Sequence, residues 1–239
     1  MIKIDANGKD FKELNELIRG SDEVTVDNCL GQRFIASGMS GKNITINGVP
    51  GNALGSYLNG AEITVNGNAQ DAAGDTMNDG KIIIHGNVGD AAGYAMRGGE
   101  IYVEGNAGYR AGIHMKAYKE KLPVMVIGGV CGSFLGEYQA GGLIIVLGRN
   151  PGSAPIVSNF CGTGMHGGKI FLRCDEISFN LPKQVKTRKA EPEDLEEIKP
   201  YIDNYCKYFG CDSSEILSWN FFILSPDSGN PYKQLYVQN

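Results

Sequence analysis

The chain has 239 residues, 42% of them apolar, with 22 basic against 27 acidic side chains. That is enough apolar material for a core, without the basic excess of a nucleic-acid or anionic-membrane binder. Divided after Cys174, the charge is 15 basic and 16 acidic residues, then 7 and 11, so neither part carries such an excess alone. The longest apolar runs, such as Leu143 to Leu147, fall far short of the roughly 20 residues that span a bilayer. No charged-then-apolar leader follows Met1, and a cytoplasmic protein is expected.

The first expected element is a short helix. Asp10 and Glu13 have capping-box spacing, Phe11, Leu14, Leu17 and Ile18 share one helical face, and Gly20 is a natural stop. Residues 1–22 therefore read as an N-terminal helical cap.

An internal repeat follows. Apolar-x-apolar pairs recur at Val24-Val26, Ile44-Ile46, Ile63-Val65, Ile82-Ile84, Ile101-Val103, Val124-Val126, Ile144-Val146 and Ile170-Leu172, at intervals of 20, 19, 19, 19, 23, 20 and 26 residues. In the central units a closing glycine (Gly48, Gly67, Gly86, Gly105) is followed seven residues later by another (Gly55, Gly74, Gly93, Gly112), and then by Leu58, Met77, Met96 and Met115. Period-2 alternation between glycines marks short strands with one buried face, which bury that face only by stacking. Stacked at the ~4.8 Å strand spacing, about eight coils make a rod roughly 38 Å long. Its interior takes the Ile/Val pairs, Ala72-Ala73, Ala91-Ala92 and the Leu/Met series.

Sharp corners need positive φ, which glycine adopts most readily and asparagine next; the asparagines available are Asn52, Asn68, Asn87 and Asn106. Nineteen is not a multiple of six and no six-residue aliphatic series appears. The reading is therefore all-β, a right-handed single-stranded parallel β-helix over 23–174, and not the left-handed hexapeptide form.

Glycine thins out where the repeat ends: 32 of 34 precede Asp175. Pro192 opens a helix with Leu195, Ile198, Ile202, Tyr205 and Phe209 on one side and Pro200 as a kink. Asp212 and Glu215 then start a second helix bearing Ile216, Leu217 and Trp219. Residues 175–239 are a helical extension expected to cover the back end of the rod, as 1–22 covers the front. The six cysteines (Cys29, Cys131, Cys161, Cys174, Cys206, Cys211) hold no CxxC pair and read as small buried hydrophobes.

Two stretches carry a resemblance. Gly67-Asn-Ala-Gln-Asp-Ala-Ala-Gly-Asp-Thr-Met-Asn-Asp-Gly80 and Asn159-Phe-Cys-Gly-Thr-Gly-Met-His-Gly-Gly168, with its Gly162, Gly164, Gly167 and Gly168, resemble the GXGXG repeats that close the large subunit of glutamate synthase. The tail from Glu191 to Trp219 is similar to that subunit's final helices. The resemblance implies a structural subunit, itself free of catalytic, cofactor-binding and metal residues, that braces a glutamine amidotransferase subunit and an FMN-dependent synthase subunit. FMN and iron-sulfur would reside in those partners. The small subunits of N-methylglutamate synthase and the C subunit of formylmethanofuran dehydrogenase are similar to the same repeats and stand as alternatives. A free-standing β-helix carbohydrate-active enzyme ranks below them, and homo-oligomerisation is left open.

Residues that suggest chemistry are weaker. Gly162 to Gly167 matches the dinucleotide GxGxxG, but the next element reads as a strand where that motif needs a helix. Asp71, Asp75, Asp79 and Asp90 are spaced as a cation site would be, and Cys161 with His166 or Cys131 with His114 as thiolate-imidazole pairs, with no third orienting group evident. Lys116, Lys119 and Lys121 fall in the 23-residue interval and are expected on an exposed loop.

Overall fold

The apolar-x-apolar pairs become one continuous parallel ladder. The computed structural model describes residues 1–227, so the last part of the 175–239 extension, 228–239, lies outside the described residues. The strands are β1 (Ile2–Asp5), β2 (Glu23–Leu30), β3 (Asn43–Val49), β4 (Asn59–Asn66), β5 (Asp79–Ile84), β6 (Glu100–Val103), β7 (Val124–Ile127), β8 (Ala140–Val146), β9 (Gly167–Arg173), β10 (Val185–Lys189) and β11 (Phe221–Pro226). The helices are α1 (Phe11–Arg19), α2 (Pro192–Phe209) and α3 (Ser213–Leu217). They form an 11-stranded sheet in which β1 to β9 pair in chain order, and β11 then β10 follow. The result is a β-solenoid of about eight turns. Among the described residues no helix is long and apolar enough to cross a membrane.

Register follows the repeat closely. Val24, Ile44, Ile63, Ile82 and Ile101 stack in line, as do Ile144 and Ile170 further on. The seventh strand departs from expectation: Ile101 pairs with Met125 and Val103 with Ile127, so the inward residues are Met125 and Ile127 and not Val124 and Val126. All four are buried because this strand has an apolar environment on both faces, so alternation cannot say which face is which.

The solenoid interior is one apolar cluster, and Leu58, Met77, Met96 and Met115 are fully buried in it. The next rung is Gln139, also fully buried, whose amide group donates to the carbonyls of Gly141 and Gly142 at 3.2 and 3.1 Å. A second ladder, which the sequence did not reveal, links Ala69, Val88, Ala107, Cys131 and Val157 by parallel bridges.

At the front, β1 adds a parallel strand to β2, and Leu14 and Ile18 of α1 close the interior. Asp10 caps α1 through the N–H groups of Lys12 and Glu13, while the Glu13 carboxylate turns to Lys9, 2.9 Å away. Phe11 and Leu17 are exposed; in the place assigned to them Asn15 bridges the helix to the first coil, donating to the Phe34 carbonyl at 2.9 Å and accepting from the Ala36 N–H at 2.8 Å.

At the back the tail departs from the helical cap expected. Two strands, β11 and β10, extend the sheet antiparallel from β9, and Val185 and Leu224 close the interior. The edge strand β10 exposes Lys186, Arg188 and Lys189, a charged fringe that discourages further pairing. The helices do not sit on the rod end. Ile198, Ile202, Tyr205 and Cys206 of α2 and Ile216 of α3 lie on the outer face of the sheet against Ile83, Tyr102, Val126, Ile145 and Phe171. Pro200 faces solvent within α2, and helical structure continues across it.

Candidate functional site

The repeat glycines do two different jobs. Gly48, Gly55, Gly67, Gly74, Gly93, Gly112, Gly162, Gly164 and Gly168 have positive φ, as corners require. Gly86, Gly105 and Gly167 do not, and are needed for close approach: a Cβ on Gly86 would meet Asn68 Oδ1 at 2.5 Å and one on Gly105 would meet Asn87 Oδ1 at 2.3 Å. The asparagines are likewise not the left-handed corner residues expected. Asn68 accepts from the backbone N–H of Asn87, Asn87 from that of Asn106, and Asn106 from that of Val130, at 2.8, 2.7 and 2.9 Å. They are rungs that tie each coil to the next.

The same holds for the acidic series. Asp71 accepts from the N–H of Asp90, and Asp90 from that of Tyr109, at 2.9 and 2.8 Å. Asp79 pairs with Lys121 at 2.8 Å, an ion pair that holds its carboxyl below the usual range and ties the lysine loop back to the rod. Among the described residues no group of three His, Cys, Asp or Glu is placed to hold a metal ion.

The thiolate-imidazole pairings do not form. Cys131 and Cys161 are buried, and burial pushes the Cys161 thiol up to about 12 and Cys131 well above its ordinary value. His114 instead stacks on Tyr138 with ring centroids 5.2 Å apart, and His166 Nδ1 lies 3.1 Å from the Gly164 carbonyl. The stretch Gly162 to Gly167 turns directly into β9, with no helix to face a pyrophosphate.

Among the described residues sixteen other than glycine have positive φ, and most fall in equivalent turn segments of successive coils, on one face of the solenoid. There, residues such as Ala53, Ala72, Ala91, Arg110, Phe134 and Phe160 alternate with inward-facing glycines, and the first five donate their N–H groups to the next coil, as Ala72 does to Asp90 and Phe134 to Asn159 at 2.8 and 2.9 Å. A left-handed residue beside an inward glycine turns its side chain outward. In the later coils those side chains are aromatic.

This builds a contiguous exposed patch. Phe134 stacks on Phe160 at 4.9 Å, Arg110 lies 4.7 Å above the Phe134 ring and pairs with Glu137 at 3.0 Å, and Tyr94, His114 and Tyr138 form an adjoining row. Tyr94, Tyr109, Tyr138 and Phe160 are all exposed. The described part of the tail, up to Asp227, packs on the sheet face. Aromatic and arginine side chains clustered on an open face form the composition of a protein–protein interface core. Sequence reasoning missed the patch because these residues lie in turn segments at irregular apolar spacing.

Comparison with known proteins agrees with this architecture. An uncharacterized protein of Methanocaldococcus jannaschii is 42% identical over 251 residues, covering 99% of this chain and 96% of that protein. The solved formyltransferase/hydrolase complex FhcABCD from Methylorubrum extorquens, in complex with methylofuran, contains a chain of similar fold, with a TM-score of 0.65 at 20% identity over 90% of this chain and 87% of the other. The profile of the GXGXG motif family matches residues 21–224, and the chain belongs to that family.

Proposed function

We propose that this chain is a structural subunit of a multi-subunit enzyme of the glutamate synthase type, holding a glutamine amidotransferase subunit and an FMN- and iron-sulfur-containing synthase subunit in fixed relation. The observation that carries the reading is the outward aromatic face, exposed among the described residues, whereas carboxylates such as Asp71 and Asp90 are consumed in tying coils together. A solenoid whose coils each pair with both neighbours deforms little, which suits a part whose contribution is geometry. The glutaminase would release ammonia to a synthase held at constant distance. Family membership and the tail's similarity to the end of the glutamate synthase large subunit support this assembly. The fold likeness to a chain of the formyltransferase/hydrolase complex supports a second reading, a subunit resembling the C subunit of formylmethanofuran dehydrogenase.

An affinity pull-down of the tagged full chain from its native extract, followed by mass spectrometry and a visible spectrum, separates them. A glutaminase and a yellow-brown flavoprotein are expected; formyltransferase or hydrolase subunits would favour the second reading, and a lone colourless chain would contradict both. Phe160→Asn should weaken capture by about 30-fold, the loss of one interface hot spot of ~2 kcal/mol. It should leave the melting temperature unchanged, because asparagine tolerates the positive φ of 63° at this position.

A further inference from the structure

The C-terminal cap of α2 brings two thiols together at the edge of the apolar layer that packs on the sheet. Gly210 has φ 67° and ψ 45°, and its N–H and that of Cys211 both point at the Cys206 carbonyl, at 2.8 and 3.2 Å. When a helix ends on such a left-handed residue, the side chain just beyond it lies against the side chain of the residue whose carbonyl closes the cap, usually as an apolar contact. Here those two positions are Cys211 and Cys206, and their thiols lie close enough to act on each other electrostatically. A disulfide spans Cα atoms roughly 4.4–6.8 Å apart, and the Cys211 N–H on the Cys206 carbonyl folds the two residues back toward each other.

Both cysteines border an open cleft of about 770 Å³ formed by α2, α3 and the turn between them with Arg149 of the solenoid, whose charged walls are Arg149, Lys207, Asp203, Asp212 and Glu215. Cys206 is buried and Cys211 half-buried. Arg149 lies close enough to Cys206 to favour its charged form, against burial, the Cys211 thiol and Asp203, which oppose it. Burial nonetheless pushes the Cys206 thiol up to about 12, leaving the more open Cys211 to react first. The remaining cysteines lack this combination: Cys29, Cys131 and Cys161 are buried, and Cys174 has no thiol partner at a cap.

We propose that Cys206 and Cys211 form a site of reversible oxidation, closed to an intrachain disulfide by hydrogen peroxide. The Cys211 thiolate attacks one peroxide oxygen, an S–O bond forms, the O–O bond breaks and hydroxide leaves. The Cys206 sulfur then displaces hydroxide from the Cys211 sulfenic acid and the S–S bond forms. The two thiol protons join the two leaving hydroxides, giving two waters, and two electrons pass from the sulfur pair to the peroxide. The bond clamps the last turn of α2, which carries Tyr205 and Phe209 against the sheet and against each other.

The test uses the reduced, folded full chain. It is exposed to a small excess of hydrogen peroxide, alkylated after denaturation, and mapped by mass spectrometry. Two of the six cysteines should become protected, the peptides of Cys206 and Cys211 should be linked, and dithiothreitol should restore both. Cys206→Ser should leave a Cys211 sulfenic acid that dimedone traps, and Cys211→Ser should abolish protection. Six alkylatable cysteines, a link involving any other cysteine, or Cys211 carried to sulfinic acid beside a free Cys206 would each overturn the assignment.

Discussion

At Gly74 two constraints meet. Its φ is 70°, and a Cβ built there would lie 2.5 Å from Cδ1 of Ile101 in the next coil but one. Gly74→Ala should cost about 3 kcal/mol in urea unfolding, combining left-handed strain with overpacking. Ala72, two residues earlier, shares the positive φ (57°) but points outward, so Ala72→Gly removes the strain without a clash. That exchange should stabilise by roughly 1 kcal/mol or less once the added freedom of the unfolded chain is subtracted. The same melt measures both, and equal losses would contradict the inward-outward alternation. Asparagine shows why residue roles were only half legible. It tolerates positive φ and it also accepts hydrogen bonds, and nothing in the sequence said that Asn68, Asn87 and Asn106 use the second property. Asn87→Ala should therefore lose about 1 kcal/mol, the net worth of one hydrogen bond to a backbone N–H.

The elements divide by whether their periodicity had one answer. Strands β2 to β4 were legible to the residue because one face is interior and the other meets solvent or polar ladders, such as Asn66 to Asn47 and Asn47 to Asp27 at 2.7 and 2.6 Å, and β5 and β6 kept the same register although α2 buries Ile83 and Tyr102 on their outer face. Strand β7 was not legible, because α2 makes its outer face apolar too. Helix α2 was legible from its apolar spacing, yet its place on the sheet face and not on the rod end depends on Ile83, Tyr102, Val126 and Ile145, long-range partners that no local pattern names. Ile202→Asp should release α2 from that face, seen as earlier proteolytic cleavage within the tail. The helix start is also tied to the edge strand: both terminal guanidinium nitrogens of Arg188 donate to Asp194, at 2.6 and 2.7 Å, and hold its carboxyl down to about 2. A depressed carboxylate pKa contributes stability above its unfolded value of ~3.9, and that contribution is lost as pH falls toward 2. The stability difference between the parent chain and Arg188→Gln should therefore be present near neutral pH and fade between about pH 4 and pH 2. A difference independent of pH would contradict the pairing.

At the scale of the molecule, the solenoid was legible because a repeat that cannot bury its own face must stack. What closes it was only partly so. The front cap was expected as a helix and also contains β1, and the back is closed by β10, β11 and the residues leading to them. The sheet face under α2 and the aromatic face exposed among the described residues give the rod two unlike sides, as the proposed role in locating other subunits would require. The central claim is that this geometry couples two partner activities. Its most direct measurement is glutamine-dependent glutamate formation by the purified partner subunits, with and without this chain, beside the ammonia-dependent reaction as control. The account predicts that omitting the chain abolishes most glutamine-dependent synthesis while glutaminase activity and ammonia-dependent synthesis persist. Unchanged glutamine-dependent synthesis without the chain would contradict it.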